Sequence, residues 1–343
     1  MTSDNDKALD MTLAADSGAP AGATVQTQGR ARSKASQSKG WSSVTDKAKR
    51  IIAARPDDHL VSILADLREV SISRSDPGRY YRIKDIVRPI ADNIMSAHGT
   101  TVEDTFQYPN VSNSTYSLGT ISPIRYLAQL VRPNTTAVME LGSGWSSNLF
   151  QIYLAHGATR SKKMIYYGGE YTREGQICGK LLAAHEPKMN YRAFSFDYRD
   201  PNVTFLTRQK GHILLFTSHS IEQVDVINPA LFDQLRAIPT PVTVVHFEPV
   251  GWQRDSTLLA RREAQDTEFF ENLGAQALAG NTTSVNENSA WWSWRLEYNK
   301  NLLPILQRLE DQNAIKMIRR AYDFAGTANV LNPSTLLHYE FNR

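Results

Sequence analysis

Val138-Met139-Glu140-Leu141-Gly142-Ser143-Gly144-Trp145-Ser146-Ser147-Asn148-Leu149-Phe150 is the stretch whose reading decides the fold. An apolar run, a glycine turn and the opening of a helix follow one another within it. A glycine at each bend lets the backbone turn sharply and lets a ligand lie against bare main chain. The helix beginning beyond the turn presents unpaired N–H groups and the positive end of its dipole. Glu140 stands two positions before the first glycine. A carboxylate there suits a cationic ligand better than a pyrophosphate.

Downstream of the turn, the sequence alternates between strand and helix patterns. Residues 137–141 read as a strand and 147–156 as a helix that Gly157 can end in the left-handed conformation. Residues 163–170 are a second strand, 174–185 a helix stopped by Pro187, and 191–197 a third strand. Residues 212–218 are an apolar fourth strand, 229–236 a helix, and 242–247 a buried fifth strand. Such alternation predicts a parallel sheet covered by helices on both faces. The end of the chain breaks the rhythm. Residues 292–311 read as one long helix, and 315–324 and 334–341 as strands joined too closely to pair other than antiparallel.

Upstream, residues 1–42 are rich in Ala, Gly, Ser, Thr and Gln, a composition that predicts a disordered tail. Spacings of three and four predict helices over 44–54 and 59–70. A further helix is expected over 85–98 and a loop over 99–119. Ser122 and Pro123 suit the cap and first position of another helix, running to about Val131. The expected domains are therefore a tail (1–42), a helical substrate or cap region (43–120) and an α/β domain (121–343).

Composition narrows the function. The chain has 343 residues, 41% of them hydrophobic and 21% charged, as in ordinary globular proteins. No run approaches the ~18 apolar residues of a membrane span. The polar, acidic first ten residues do not read as a secretory signal. One cysteine, Cys178, excludes an internal disulfide framework. A cytoplasmic protein is the expectation. The first 50 residues hold eight Lys/Arg and five Asp/Glu, so the net charge of +3 resides there and the remainder is neutral. A general nucleic-acid surface is not expected.

Motif, alternation and terminal hairpin together resemble the class I S-adenosylmethionine-dependent methyltransferases, over roughly residues 120–343. Glu140-x-Gly142-x-Gly144 is similar to that family's first motif, although Ser146 stands where a third glycine is frequent. The resemblance implies a Rossmann-like, doubly wound seven-stranded α/β sheet with an antiparallel C-terminal hairpin, here preceded by an N-terminal helical extension. It also implies S-adenosyl-L-methionine as cofactor. Gly142, Ser143 and Gly144 would pass under its methionine part, and Glu140 would face its ammonium group. Glu170, at the tip of the second strand, would accept the ribose hydroxyls, or else serve as a helix N-terminal acid. Asp197 would reach the adenine, or else be a turn residue. Thr217 and Ser218 would line the sulfonium and substrate.

Candidate bases for an acceptor hydroxyl are His219, Glu248 and His246, each of which could instead be structural. A metal reading through His219, Glu222, His246 and Glu248 lacks distinctive spacing, and no metal is expected. The tryptophan-rich segment Trp291-Trp292-Ser293-Trp294 could stack on a substrate or anchor a helix. The expected activity is O-methylation of a small, polar, sugar-like or polyhydroxylated acceptor. The alternatives are a nicotinamide-dependent oxidoreductase, for which Asn148 stands at the wrong place in the glycine pattern, and a noncatalytic cofactor-binding protein.

Overall fold

The computed structural model describes residues 25–67, 123–161, 164–278, 284–323 and 333–342. The expected helix over 85–98, the loop over 99–119 and the capping role of Ser122 lie outside these residues. Two helices come first, α1 (Val25–Ala54) and α2 (Leu60–Leu67), and then α3 (Pro123–Leu130) leads into the sheet. Alternation follows as β1 (Thr135–Leu141), α4 (Ser147–Ser161), β2 (Ile165–Glu170), α5 (Arg173–His185), β3 (Asn190–Ser195), β4 (His212–Ser218), α6 (Ala230–Arg236) and β5 (Val242–Glu248). The tail of the fold is α7 (Ser256–Glu263), α8 (Thr267–Leu278), α9 (Val285–Arg295), α10 (Leu302–Asp311), β6 (Ile315–Ala321) and β7 (Thr335–Phe341).

The seven strands are ordered β3-β2-β1-β4-β5-β7-β6. Strands β1 to β5 run parallel, and β7 lies antiparallel between β5 and β6. This is the doubly wound seven-stranded sheet with an antiparallel terminal hairpin that the resemblance implied. The order reverses between β1 and β4, which opens a crevice at the carboxyl ends of those strands.

Side-chain alternation divides the core between the two faces of the sheet. Val138, Leu214, Phe216, Val245 and Phe247 face α2 to α5, against Ile63, Tyr126, Phe150, Tyr153 and Leu182. Met139, Leu141, Ile213, Leu215, Val244 and Tyr339 face the other way, against Leu231, Phe232, Leu235, Ile305 and Leu306. A third, smaller core of Trp252, Leu258, Phe270, Leu273, Ala290 and Trp291 holds α7 to α9 together. Trp294 stacks on Phe270 with ring centroids 5.5 Å apart. The tryptophan-rich segment is thus an anchor.

Several boundaries differ from the sequence reading. The tail expected to residue 42 is helical from Val25, continuous with the stretch in which Thr45 and Ala48 are buried and α1 lies along α5. Gly157 does not end α4, which continues to Ser161. An interior glycine costs a helix only about 1 kcal/mol, too little to break one by itself. The expected helix over 292–311 is two helices, because a proline at position 304 fits a first turn but not a helix interior. The break is organised by Glu297, in the left-handed region at φ 55°, and by Asn299, whose Oδ1 accepts from the N–H of Leu302 (2.9 Å). No described helix is long and apolar enough to cross a membrane.

Candidate cofactor cleft and acceptor mouth

The turn after β1 is built from left-handed residues, with Gly142 at φ 69°, Gly144 at 53° and Ser146 at 64°. The backbone at the frequent third-glycine position therefore has a glycine-like conformation, and a serine occupies it. Ser146 Oγ lies 2.8 Å from Tyr191 Oη and donates to Ser143 Oγ (3.2 Å), which offsets part of the steric cost of that conformation. Ser143 is itself buried, and its N–H donates to the Gly169 carbonyl (2.9 Å), tying the turn to β2.

Two buried carboxylates bracket the turn. Glu140, 1% exposed, accepts at Oε1 from Asn148 Nδ2 (2.7 Å), which reaches back from the first turn of α4. Glu170, 5% exposed, accepts at Oε2 from the N–H of Gly144 (2.8 Å) and at Oε1 from the N–H (2.8 Å) and hydroxyl (2.7 Å) of Thr172. Thr172 in turn caps α5, accepting from the N–H of Gly175. Glu170 thus takes the role of a helix-entry acid that also braces the glycine turn. A carboxylate offers about four acceptor positions, so three donors leave room for one more. Buried carboxylates on both sides of bare, left-handed backbone fit a ligand that carries a cation and a hydroxyl.

The post-β4 segment closes onto the same turn. A Cβ on Gly142 would lie 2.3 Å from Ser220 Cβ, so glycine is required by close approach as well as by φ. Tyr198 Oη donates to the Leu141 carbonyl (2.8 Å) and lies 2.7 Å from Ser220 Oγ. Burial, followed by the charge of Glu248, holds the Tyr198 phenol well above its ordinary pKa, so it remains protonated. Asp197 sits half-buried at the tip of β3 and accepts from the N–H of Arg199 (2.9 Å), which is a turn bond. Ser218 is half-buried at the tip of β4.

Of the three candidate bases, only His219 is exposed. Its imidazole is 39% exposed, its φ is 49°, and its N–H donates to the Phe247 carbonyl (2.9 Å). Its Nδ1 lies 3.4 Å from Glu222 Oε2, and its Nε2 contacts Ser334 Oγ. Desolvation acts to lower its pKa. The Glu222 carboxylate, with Glu248 behind it, outweighs that effect and raises the value to about 9.

The other two candidates are buried. Glu248 is fully buried and accepts from the N–H groups of Ser220 (3.0 Å) and Glu222 (3.3 Å), so it anchors the post-β4 loop. Burial first, then the Glu222 charge, pushes its carboxyl up to about 7 against the opposing pull of His219 and its hydrogen bonds. His246 points into the sheet, with Nδ1 2.9 Å from Thr217 Oγ1 and Nε2 3.2 Å from Tyr339 Oη. Burial pulls its pKa down to about 3. Thr217 is fully buried against His246. Thr217 and His246 are register partners, which puts their side chains on the same face of the sheet.

The sequence reading missed Ser334, Ser220, Tyr198 and Asn148 as members of the site. Ser334 had a topological signal. It precedes the last strand, and the start of an antiparallel strand lies beside the ends of parallel ones. Among the described residues, no group of three or more His, Cys, Asp or Glu side chains could hold a metal ion.

No protein-family model matches the sequence, and no curated protein does. Solved structures similar to this chain include EvdMO1, at 10% identity and a TM-score of 0.35 over 64% of this chain and 39% of that one. A SAM-dependent methyltransferase from Aquifex aeolicus is similar at 8% identity and a TM-score of 0.38, over 70% of this chain and 98% of that one. An O-methyltransferase family protein from Burkholderia thailandensis is similar at 11% identity and a TM-score of 0.37, over 63% of this chain and 54% of that one. These likenesses are distant. The fold rests on strand order and register.

Proposed function

We propose that this protein is an S-adenosyl-L-methionine-dependent methyltransferase that acts at oxygen on a small, polar acceptor. One observation carries the reading: at the switch point of the sheet, a left-handed glycine turn lies between the buried carboxylates Glu140 and Glu170. Negative charge at this turn opposes a pyrophosphate and favours a cationic ligand, which sets the nicotinamide alternative behind. When bound, the donor supplies a methyl group on positively charged sulfur.

The chain's own residues supply position and proton control. Glu170 and Ser143 fix the turn. The post-β4 loop is fixed by Glu248. His219 stands at the mouth between Glu222 and Ser334, within reach of a hydroxyl entering from solvent. It takes the acceptor's proton as a base only once it has lost its own. A positioned base contributes typically ~10²–10⁴-fold to such a step, in addition to the larger effect of alignment.

Titration calorimetry with the donor, with its demethylated product and with a nicotinamide dinucleotide tests the reading. The first two should bind and the third should not. Glu170→Ala should weaken donor binding more than His219→Ala, because Glu170 holds the turn and His219 only the mouth. Uptake of the dinucleotide with no heat from the donor would overturn the assignment.

A further inference from the structure

The N-terminal helical extension places one aromatic side chain on the glycine turn. A Cβ on Gly144 would lie 2.9 Å from Cζ2 and 3.2 Å from Cη2 of Trp41, so the indole occupies the space that a side chain at position 144 would need. The ring is half-buried. Its helix is held down just beyond it: Thr45 Oγ1 donates to the Trp41 carbonyl (2.8 Å), and the fully buried Ala48 continues the contact of α1 with α5. The same stretch of backbone is gripped from below, where the N–H of Gly144 donates to Glu170. Three features therefore meet at one residue: bare left-handed main chain, a carboxylate beneath it, and the electron-rich ring of an indole against it.

An aromatic face combined with nearby anionic groups is a receptor for organic cations. We propose that Trp41 is a cofactor-contact residue that gives the cleft its preference for a positively charged sulfonium donor over the neutral thioether left after transfer. The proposal rests on the methyltransferase reading and deepens it by assigning to α1 the discrimination between fresh and spent cofactor. Such discrimination limits product inhibition, because the thioether sulfur of the spent form carries no charge for the indole to attract.

The test is calorimetry on the full chain with three ligands: S-adenosyl-L-methionine, S-adenosyl-L-homocysteine and sinefungin, whose ammonium group replaces the sulfonium. Trp41→Leu should weaken binding of the two cations by about 3- to 30-fold, the range of a cation–π contact, and change binding of the neutral product by less than about 2-fold. Trp41→Phe should retain most of the preference. Circular dichroism melts establish that each variant is folded, and if Trp41→Leu does not fold, the comparison of wild type with Trp41→Phe and Trp41→Tyr decides the matter. Intrinsic fluorescence gives an independent readout: the emission change on donor binding should be reduced in Trp41→Phe. Equal losses for all three ligands would reduce Trp41 to a packing residue and overturn the proposal, as would no loss for any. If the wild-type protein binds none of the three, the methyltransferase reading itself fails, and this inference fails with it.

Discussion

His219 differs from the histidines that lie within the sheet strands. His212, His246 and His338 are buried, hydrogen-bonded and shifted down, to about 4, 3 and 4. His219 is exposed, holds a left-handed backbone and is shifted up to about 9. Left-handed non-glycine residues cluster at functional sites because the surrounding structure must hold them there. At neutral pH its imidazole carries a proton that the Glu222 carboxylate retains. Transfer to a hydroxyl acceptor should therefore rise with pH from 7 to about 9 and level off once His219 is neutral. Glu222→Gln removes the main cause of the shift and should move the rise to lower pH. Rate profiles of the two proteins check this, and coincident profiles would remove His219 from the chemistry.

Elements, rather than single side chains, set the geometry of the cleft. The turn between β1 and α4 is packed on one side by Ser220 and on the other by Trp41, so neither glycine has room for a methyl group. Gly142→Ala combines a left-handed alanine, which costs roughly 1–2 kcal/mol, with a Cβ 2.3 Å from Ser220 Cβ. The melting temperature should fall by several degrees, and donor binding should weaken, as measured by thermal denaturation and calorimetry. At this scale much was legible in the sequence. Strong apolar runs gave the parallel strands, and the glycine turn gave the crevice. The helix break near Pro304 and the helix from Val25 were harder. The first depends on a proline suited only to a helix's first turn, and the second carries almost no large apolar side chains to signal a helix.

The whole molecule combines these buried groups into a pH response. Three histidines with depressed folded pKa values stay neutral in the native state while the unfolded chain, near 6.5, takes up three protons. Glu248 acts in the opposite direction: its folded value of about 7 exceeds the unfolded one, so its contribution is present below pH ~4.5 and lost as the pH rises through 7. Between pH ~4.5 and 6.5 the unfolded state therefore holds about two more of these protons than the native state. Stability should rise with pH across that window, by roughly 2–3 kcal/mol per unit. His219 adds stability that is full below pH ~6.5 and is lost as the pH rises through 9, so stability should decline again on the alkaline side. Urea titrations at several pH values measure both slopes. A flat profile from pH 4.5 to 6.5 would contradict the burial of His212, His246 and His338.

The order of apolar runs, the glycine turn with Glu140, and the closing pair of strands were determined by the sequence itself, because backbone hydrogen bonding and the two-residue period of a strand are local properties. They were sufficient for the fold class. Tertiary structure alone decided which polar side chain faces the mouth. One residue of register turns His246 inward beside Thr217, while the left-handed twist at His219 sends the next candidate out to meet Ser334, 115 residues away. It also decided that Trp41, far upstream, lies on Gly144. Contacts of that sequence separation come from the packing of whole elements, and no local pattern records them.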